Sequence, residues 1–277
     1  MTDRAVDVLI IGCGYVGRRT AARWLAAGKR VAALTRGNAE ALRELGITPI
    51  VGDVLDLESL QSLPQAATVL HAVGLDRTSG KSMRKVYVNG LANVLEAIPR
   101  PERFVFISST SVYGQTDGSW VTEQSPTEPR EDSGQVVLDA ERLLRGKLPE
   151  ANVLRFAGIY GPGRLLRKQA LLKGEPLVGD CEKWLNLIHV NDGVEAILAA
   201  EAQAPPGATF NVADGEPVSR RDFYTFWARV LNAPEAQFDH RPEPGTANRR
   251  IANAAAQEQL GWRPRFASYR EGLIEIP

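Results

Sequence analysis

Val6-Asp7-Val8-Leu9-Ile10-Ile11-Gly12-Cys13-Gly14-Tyr15-Val16-Gly17 is the stretch that decides the fold. The apolar run Val6, Val8, Leu9, Ile10, Ile11 reads as a buried strand, and it breaks into a glycine-rich turn that opens a helix over Arg18 to Ala27, closed by Gly28. The glycines have separate tasks: Gly12 permits the turn, Gly14 lets backbone amides approach a pyrophosphate, and Gly17 lets the helix lie close to the strand. The helix N-terminus adds N–H donors and partial positive charge. Alone, G-x-G-x-x-G is a weak pattern. Its strand–turn–helix setting makes Gly12, Gly14, Tyr15, Val16 and Gly17 a dinucleotide-binding turn.

Composition narrows what such a turn serves. Lys plus Arg equals Asp plus Glu at 33 each, so no net field favours nucleic acid or an acidic membrane. The expected partner is a small polar molecule. Cys13 and Cys181 are the only cysteines, which supports no disulfide framework and suits a reducing cytoplasm. No leader pattern opens the chain, and no apolar run approaches the roughly 20 residues that cross a bilayer. A cytoplasmic protein is expected.

Following the chain, Arg30 to Leu34 reads as a second strand, at whose end an Asp or Glu would bind the 2′-hydroxyl of NAD. Thr35-Arg36-Gly37-Asn38 stands there instead. A forked guanidinium binds a 2′-phosphate that an acid would repel, so Thr35 and Arg36 favour NADP over NAD. The alternative is a solvated Arg36. Asn38 caps a helix through Leu45, and Thr48 to Val51 forms a third strand leading into Gly52-Asp53-Val54. Asp53 either accepts from an adenine amine or caps the next turn. Leu57, Leu60 and Leu63 have helical spacing, and Thr68 to Val73 is a fourth strand ending at Gly74. Ala72, Val73 and Gly74 offer backbone to a cofactor ribose, while His71 reads as a packed strand residue. A long helix over about Ser82 to Ala97 and a fifth strand, Arg103 to Ile107, precede Ser108-Ser109-Thr110-Ser111-Val112-Tyr113-Gly114.

Hydroxyls at the end of a central strand lie where open α/β sheets bind ligands. With them the chain resembles the extended short-chain dehydrogenase/reductase superfamily, in its NAD(P)-dependent epimerase/dehydratase branch. The matching pieces run in order: Gly12 to Gly17, Gly52-Asp53-Val54, His71 to Gly74, Val88-Asn89-Gly90, Ser108 to Gly114, Leu154-Arg155 with Ile159 to Gly163, and His189-Val190-Asn191-Asp192. The resemblance implies an α/β fold, a Rossmann-type doubly wound parallel sheet with a smaller C-terminal α/β substrate-binding domain. Residues 1–163 with about 186–213 would bind the cofactor, and about 164–185 with 214–277 the substrate. Ser109 matches a hydroxyl that orients a substrate carbonyl.

The next helix departs from the family. A Tyr-x-x-x-Lys pair performs its proton chemistry, the Lys favouring a Tyr phenolate while hydride moves to or from the nicotinamide. With Glu141 aligned to the family's acidic residue four places after the Lys, the pair here becomes Ser133 and Val137. No Tyr lies between Gly114 and Ile159. Three readings stay open. Another ionisable group, among Tyr113, Tyr160, Lys81 and Lys85, has taken over; or the fold binds NADP(H) without turnover, as a redox sensor; or cofactor and substrate carry a different reaction.

In the remaining third, Ala151 to Phe156 is a strand, and Gly158 and Tyr160 in the following loop are cofactor-side contacts by resemblance. Arg164 belongs to a basic cluster with Arg167, Lys168 and Lys173, either facing a phosphorylated substrate or merely solvated. Trp184 and Asn186 fall where relatives return a strand to the substrate. His189 reads as structural, and three histidines with no ligand spacing argue against a metal. Ser219 and Ser268 begin capping boxes, the first for a helix with the aromatic stripe Phe223, Phe226, Trp227. Asp239 to Asn248 is a Pro-rich loop or edge segment. A monomer or a homodimer fits, the latter by resemblance through the helices around Ser82 to Ala97 and Gln135 to Leu144.

Overall fold

The computed structural model describes residues 6–276. Strand β1 (Val6–Ile11) carries Val8 to Ile11 with no exposure, as a strand covered on both faces must. It runs into helix α1 (Tyr15–Ala26), then β2 (Val31–Thr35), α2 (Ala39–Glu44), β3 (Thr48–Val51), β4 (Ala66–His71), α3 (Gly90–Ala97), β5 (Arg103–Ser109) and α4 (Asp132–Lys147). The central sheet has seven strands in the order Thr209–Val212, Asn152–Phe156, β5, β4, β1, β2, β3. The pairs of β1 with β2 and β4, of β2 with β3, and of β4 with β5 are parallel. Chain order reverses between β1 and β4, the switch point at which doubly wound sheets bind ligands.

Two compact units result. The first holds the chain through Ser108 with Gln135–Leu154 and Ile197–Thr209; the second holds Ser109–Gly134, Arg155–Ala196 and the chain from Phe210 onward. The cuts fall within β5, Asn152–Phe156 and Thr209–Val212 and inside the helices Asp132–Lys147 and Val190–Gln203, whereas the sequence reading put the change of domain at 163, about 186 and 213. Leu9, Ile11, Leu34, Val69, Leu91 and Phe106 are part of the core of the first unit. Tyr160, Leu187, Phe223, Trp227 and Tyr269 help form that of the second, so the aromatic stripe of the Arg220–Val230 helix is core.

Local expectations held where chain geometry alone decides them. Ser219 accepts from the Asp222 N–H at 3.0 Å and Ser268 from the Arg270 N–H at 3.3 Å. Others did not hold. Asn38 precedes α2 but makes no side-chain cap, its backbone at φ −99°, ψ 39° lying outside the extended conformation that a capping residue adopts. The Leu57 to Leu63 pattern forms only a single 3₁₀ turn, Glu58–Leu60. The long helix enters through a π-helical turn, Lys85–Asn89, before α3. Independently of these, the Asp192 carboxylate, in the first turn of the Val190–Gln203 helix, accepts the N–H groups of Arg265 and Phe266, both at 3.0 Å. No helix among the described residues is long and apolar enough to cross a membrane.

Candidate functional site

The first unit assembles a dinucleotide cradle from the segments singled out in the sequence. Gly12 has φ +95°, and a Cβ there would lie 2.6 Å from the Ala72 carbonyl carbon and the Val73 nitrogen. Only glycine allows the ends of β1 and β4 to approach so closely. At Gly17 a Cβ would fall 2.7 Å from the Gly12 oxygen and 3.3 Å from Ile10 Cγ2, so its absence sets the distance of α1 from the strand. At Gly14 and Gly74 a Cβ would meet nothing within 4 Å. Gly14 is exposed at the N-terminus of α1, where the helix dipole favours an anion. Tight contact at Gly12 and Gly17 with open space at Gly14 is what a pyrophosphate cradle requires.

The rest of this unit holds the cradle's walls. Tyr15 lies under Arg19, whose guanidinium carbon is 4.1 Å from the ring centroid, and the Val16 carbonyl accepts from Thr20 Oγ1. Burial pushes the Cys13 thiol up to about 11, which leaves it inert. Thr35 pins the loop that carries Arg36, and Arg36 Nη2 lies 3.3 Å from Asp76 Oδ2. Asp53 Oδ1 accepts from the Leu55 N–H at 2.9 Å, so one carboxylate oxygen caps its own turn. Val54 packs where Gly90 has no side chain, since a Cβ would meet Val54 Cγ2 at 2.8 Å, and its carbonyl accepts from Asn93 Nδ2. Tyr87 accepts from the Leu75 N–H at 3.2 Å, fixing the backbone beyond Gly74. The sequence reading missed Asn93 and Tyr87, whose partners lie 39 and 12 positions away. His71 is buried between Phe104 and Phe106, and burial lowers it to about 4, so it is neutral.

The second unit carries the residues expected near a substrate. Ser109 Oγ accepts from the Ser111 N–H at 3.1 Å and keeps its own proton to donate. Gly134, next to Ser133, comes so close to this turn that a Cβ would lie 2.4 Å from the Ser111 oxygen. Ser133 itself is exposed, with its hydroxyl 3.4 Å from Glu131. Val137, one turn further along α4 and in the first unit, is 6% exposed and can supply no cation.

Tyr113 has no exposure; its hydroxyl donates to Asn211 Oδ1 at 2.8 Å and accepts from Arg155 Nη1 at 2.9 Å. Burial raises it above the ordinary phenol, with Arg155 pulling the other way. This geometry counts against a catalytic Tyr113 and makes it a buried strut. Tyr160 lies in the core edge-on to His189, and Gly272 leaves room for its hydroxyl, which a Cβ would approach to 2.1 Å. Burial, then Asp214, Asp192 and Glu271, push the Tyr160 phenol upward, which favours its neutral form.

Asn186 is committed to backbone: its amide donates to the Arg249 carbonyl at 2.9 Å and accepts from the Ile251 N–H at 2.7 Å. Trp184 faces the Arg250 guanidinium at 5.2 Å from its ring centroid. Gly158 pairs in register with Leu187, and a Cβ there would meet the Asn186 oxygen at 3.0 Å. Arg164 closes a tight turn through reciprocal backbone bonds with Gly161. Phe238–His240, which leads into the Pro-rich segment, forms a parallel pair with Leu177–Gly179. Residues 242–246 and Asn248, with Asp180, Lys183 and Thr116, line a hollow of about 200 Å³. Cys181 lies 3.0 Å from His240 Nδ1 and accepts from Arg221 Nη2, with burial raising its thiol. Among the described residues no group of His, Cys, Asp or Glu is arranged to hold a metal ion.

The NAD dependent epimerase/dehydratase family pattern matches residues 8–213. The chain belongs to that family. It is 32% identical over 253 residues to Protein YeeZ of Escherichia coli (strain K12), covering 86% of this chain and 88% of that one. MoeE5, solved with UDP-glucose and NAD, superimposes with a TM-score of 0.77 at 26% identity, over 96% of each chain. The UDP-glucose 4-epimerase of Thermotoga maritima, at 21% identity and a TM-score of 0.82 over 97% of this chain and 96% of that one, shares the fold.

Proposed function

We propose that the protein binds NADP(H) in preference to NAD(H) and uses it for hydride transfer on a polar substrate of the sugar-nucleotide class, as a reductase or an epimerase-like enzyme. The observation that carries the reading is the cradle: Gly12 and Gly17 are sterically obligatory, while Gly14 opens onto space at a helix N-terminus. When bound, the nicotinamide supplies or accepts the hydride. The chain's residues bind the pyrophosphate at Gly14 to Gly17 and the 2′-phosphate at Arg36, and Ser109 orients a substrate oxygen with its free proton. The sugar-nucleotide class is supported by MoeE5, whose complex holds UDP-glucose and NAD.

A second reading is a non-catalytic NADP(H)-binding sensor. It is favoured by the buried Val137 and exposed Ser133, where the resemblance expects Lys and Tyr. One experiment separates the two. The purified protein is titrated with NADPH and NADH by nucleotide fluorescence, then incubated with UDP- and dTDP-sugars and either oxidised or reduced cofactor. Binding with turnover supports the enzyme, binding without turnover the sensor, and no fluorescence change refutes both.

A further inference from the structure

Arg36 is not a lone cation awaiting a phosphate. Its Nη2 lies 3.3 Å from Asp76 Oδ2, and both side chains are more than two-fifths exposed, so the pair stands at the surface of the first unit. Asp76 is held in place from its other side. Its Oδ1 accepts from the Thr78 N–H at 3.0 Å and from Thr78 Oγ1 at 2.6 Å, and its carbonyl accepts from Ser79 Oγ at 2.6 Å. These bonds cap the 3₁₀ turn Arg77–Ser79 and leave Oδ2 directed to Arg36. The Arg36 loop is likewise fixed, by the N–H groups of Gly37 and Asn38 on Thr35 Oγ1. Two anchored loops, one after β2 and one after β4, thus bring opposite charges together where the adenosine ribose is read.

We propose that Asp76 sets the dinucleotide selectivity of this protein by holding Arg36 and opposing a 2′-phosphate. The inference rests on the reading of Arg36 as the 2′-phosphate ligand. A phosphate carrying close to two negative charges must draw the guanidinium from a carboxylate and then sit beside that carboxylate. The 2′-hydroxyl of NAD carries no charge and meets neither cost. Asp76 therefore narrows the gap that Arg36 opens between NADP(H) and NAD(H). Because the pair is exposed, its influence weakens as ionic strength rises.

The test is binding, not turnover. Wild type, Asp76→Asn, Arg36→Ala and the double variant are titrated with NADPH and NADH by fluorescence, and with 2′,5′-ADP and 5′-AMP by calorimetry, at low and high salt. Asn keeps an oxygen for Thr78, so the turn survives. Asp76→Asn is expected to tighten NADPH and 2′,5′-ADP about 3- to 10-fold, the scale of an exposed ion pair plus relief of like charge. NADH and 5′-AMP should change less than about 2-fold, and the gain should shrink at high salt and in the Arg36→Ala background. An unchanged or lowered NADPH to NADH ratio in Asp76→Asn overturns the proposal while Arg36→Ala still weakens NADPH. A gain that persists in full without Arg36 overturns it too. If Arg36→Ala leaves NADPH affinity untouched, the 2′-phosphate reading falls and the role of Asp76 falls with it.

Discussion

Gly14→Ala separates cofactor binding from folding more cleanly than any other change in the cradle. Gly14 has φ −92° and ψ −140°, outside the left-handed region, and its built Cβ meets nothing within 4 Å. The fold loses only the modest preference for glycine over alanine before a helix, under about 1 kcal/mol. That corresponds to no more than about 4 °C in a chain of this size. The new methyl, however, occupies the space before the first N–H groups of α1. Displacing a phosphate from one charge-assisted hydrogen bond costs about 1.5–3 kcal/mol, or roughly 10- to 100-fold in Kd. Gly17→Ala and Gly12→Ala differ in kind. The first drives a Cβ to 2.7 Å from the Gly12 oxygen, and the second combines φ +95° with 2.6 Å contacts to β4's following backbone. Each should cost about 1–3 kcal/mol or more of stability as well as binding. NADPH titration and thermal unfolding of the three variants test the order. Wild-type affinity in Gly14→Ala, or melting as low as that of Gly12→Ala, would refute the assignment of the open space to the pyrophosphate.

Two further outcomes concern stability. Glu201 gathers donors from Trp24 Nε1 at 2.8 Å, Lys29 Nζ at 2.6 Å and Thr68 Oγ1 at 3.0 Å, so Glu201→Ala strips the acceptor from buried Trp24 and Thr68. A loss of about 2–4 kcal/mol is expected in denaturant unfolding, and a change under about 0.5 kcal/mol would show that water replaces the carboxylate. Asp214 is buried with Oδ2 unpartnered and Oδ1 accepting from the Glu216 N–H, and burial holds it well above the usual carboxylate range. The native state then keeps a proton that the unfolded chain releases above about pH 4, so this group's contribution to stability falls as pH rises toward its folded value. Asp214→Asn retains the bond to Glu216 and should flatten that decline, leaving the variant more stable near neutral pH. Equal slopes of Tm against pH in the two proteins would count against the buried, protonated Asp214.

The cradle was legible in the sequence because its glycines are neighbours in the chain, although what Gly12 meets, Ala72 and Val73, lies 60 and 61 positions on. Gly12, Gly14 and Gly17 lie within one turn, and what each must avoid is the backbone of β1 and β4 or a phosphate. The same locality made the Ser219 and Ser268 caps readable. Tyr113 looked available because it sits in a turn beside Gly114. Its commitment depends on Arg155 and Asn211, 42 and 98 positions away, and no spacing rule reaches them. Asn186 is similar, since its amide is consumed by backbone 63 and 65 residues later. The π-turn at Lys85–Asn89 was invisible for a third reason. Apolar spacing there suits any helix, and the tight approach that Gly90 allows to Val54 is a tertiary fact.

These differences bear on how binding and chemistry separate in this chain. The glycine cradle is made of backbone and the absence of side chains. Proton transfer needs particular side chains at particular exposures, and α4 presents an exposed Ser133 and a buried Val137. Replacing Val137 by Lys would place an ammonium where the helix now packs, at a desolvation cost that pushes its pKa down. A Tyr at Ser133 would meet no such barrier. Ser133→Tyr alone is therefore the informative variant: a phenol without its cation should keep NADPH affinity and give turnover that rises with pH toward the ordinary phenol range near 10. Turnover already maximal at neutral pH in the wild type, unchanged by Ser133→Tyr, would instead place the working acid–base group away from α4.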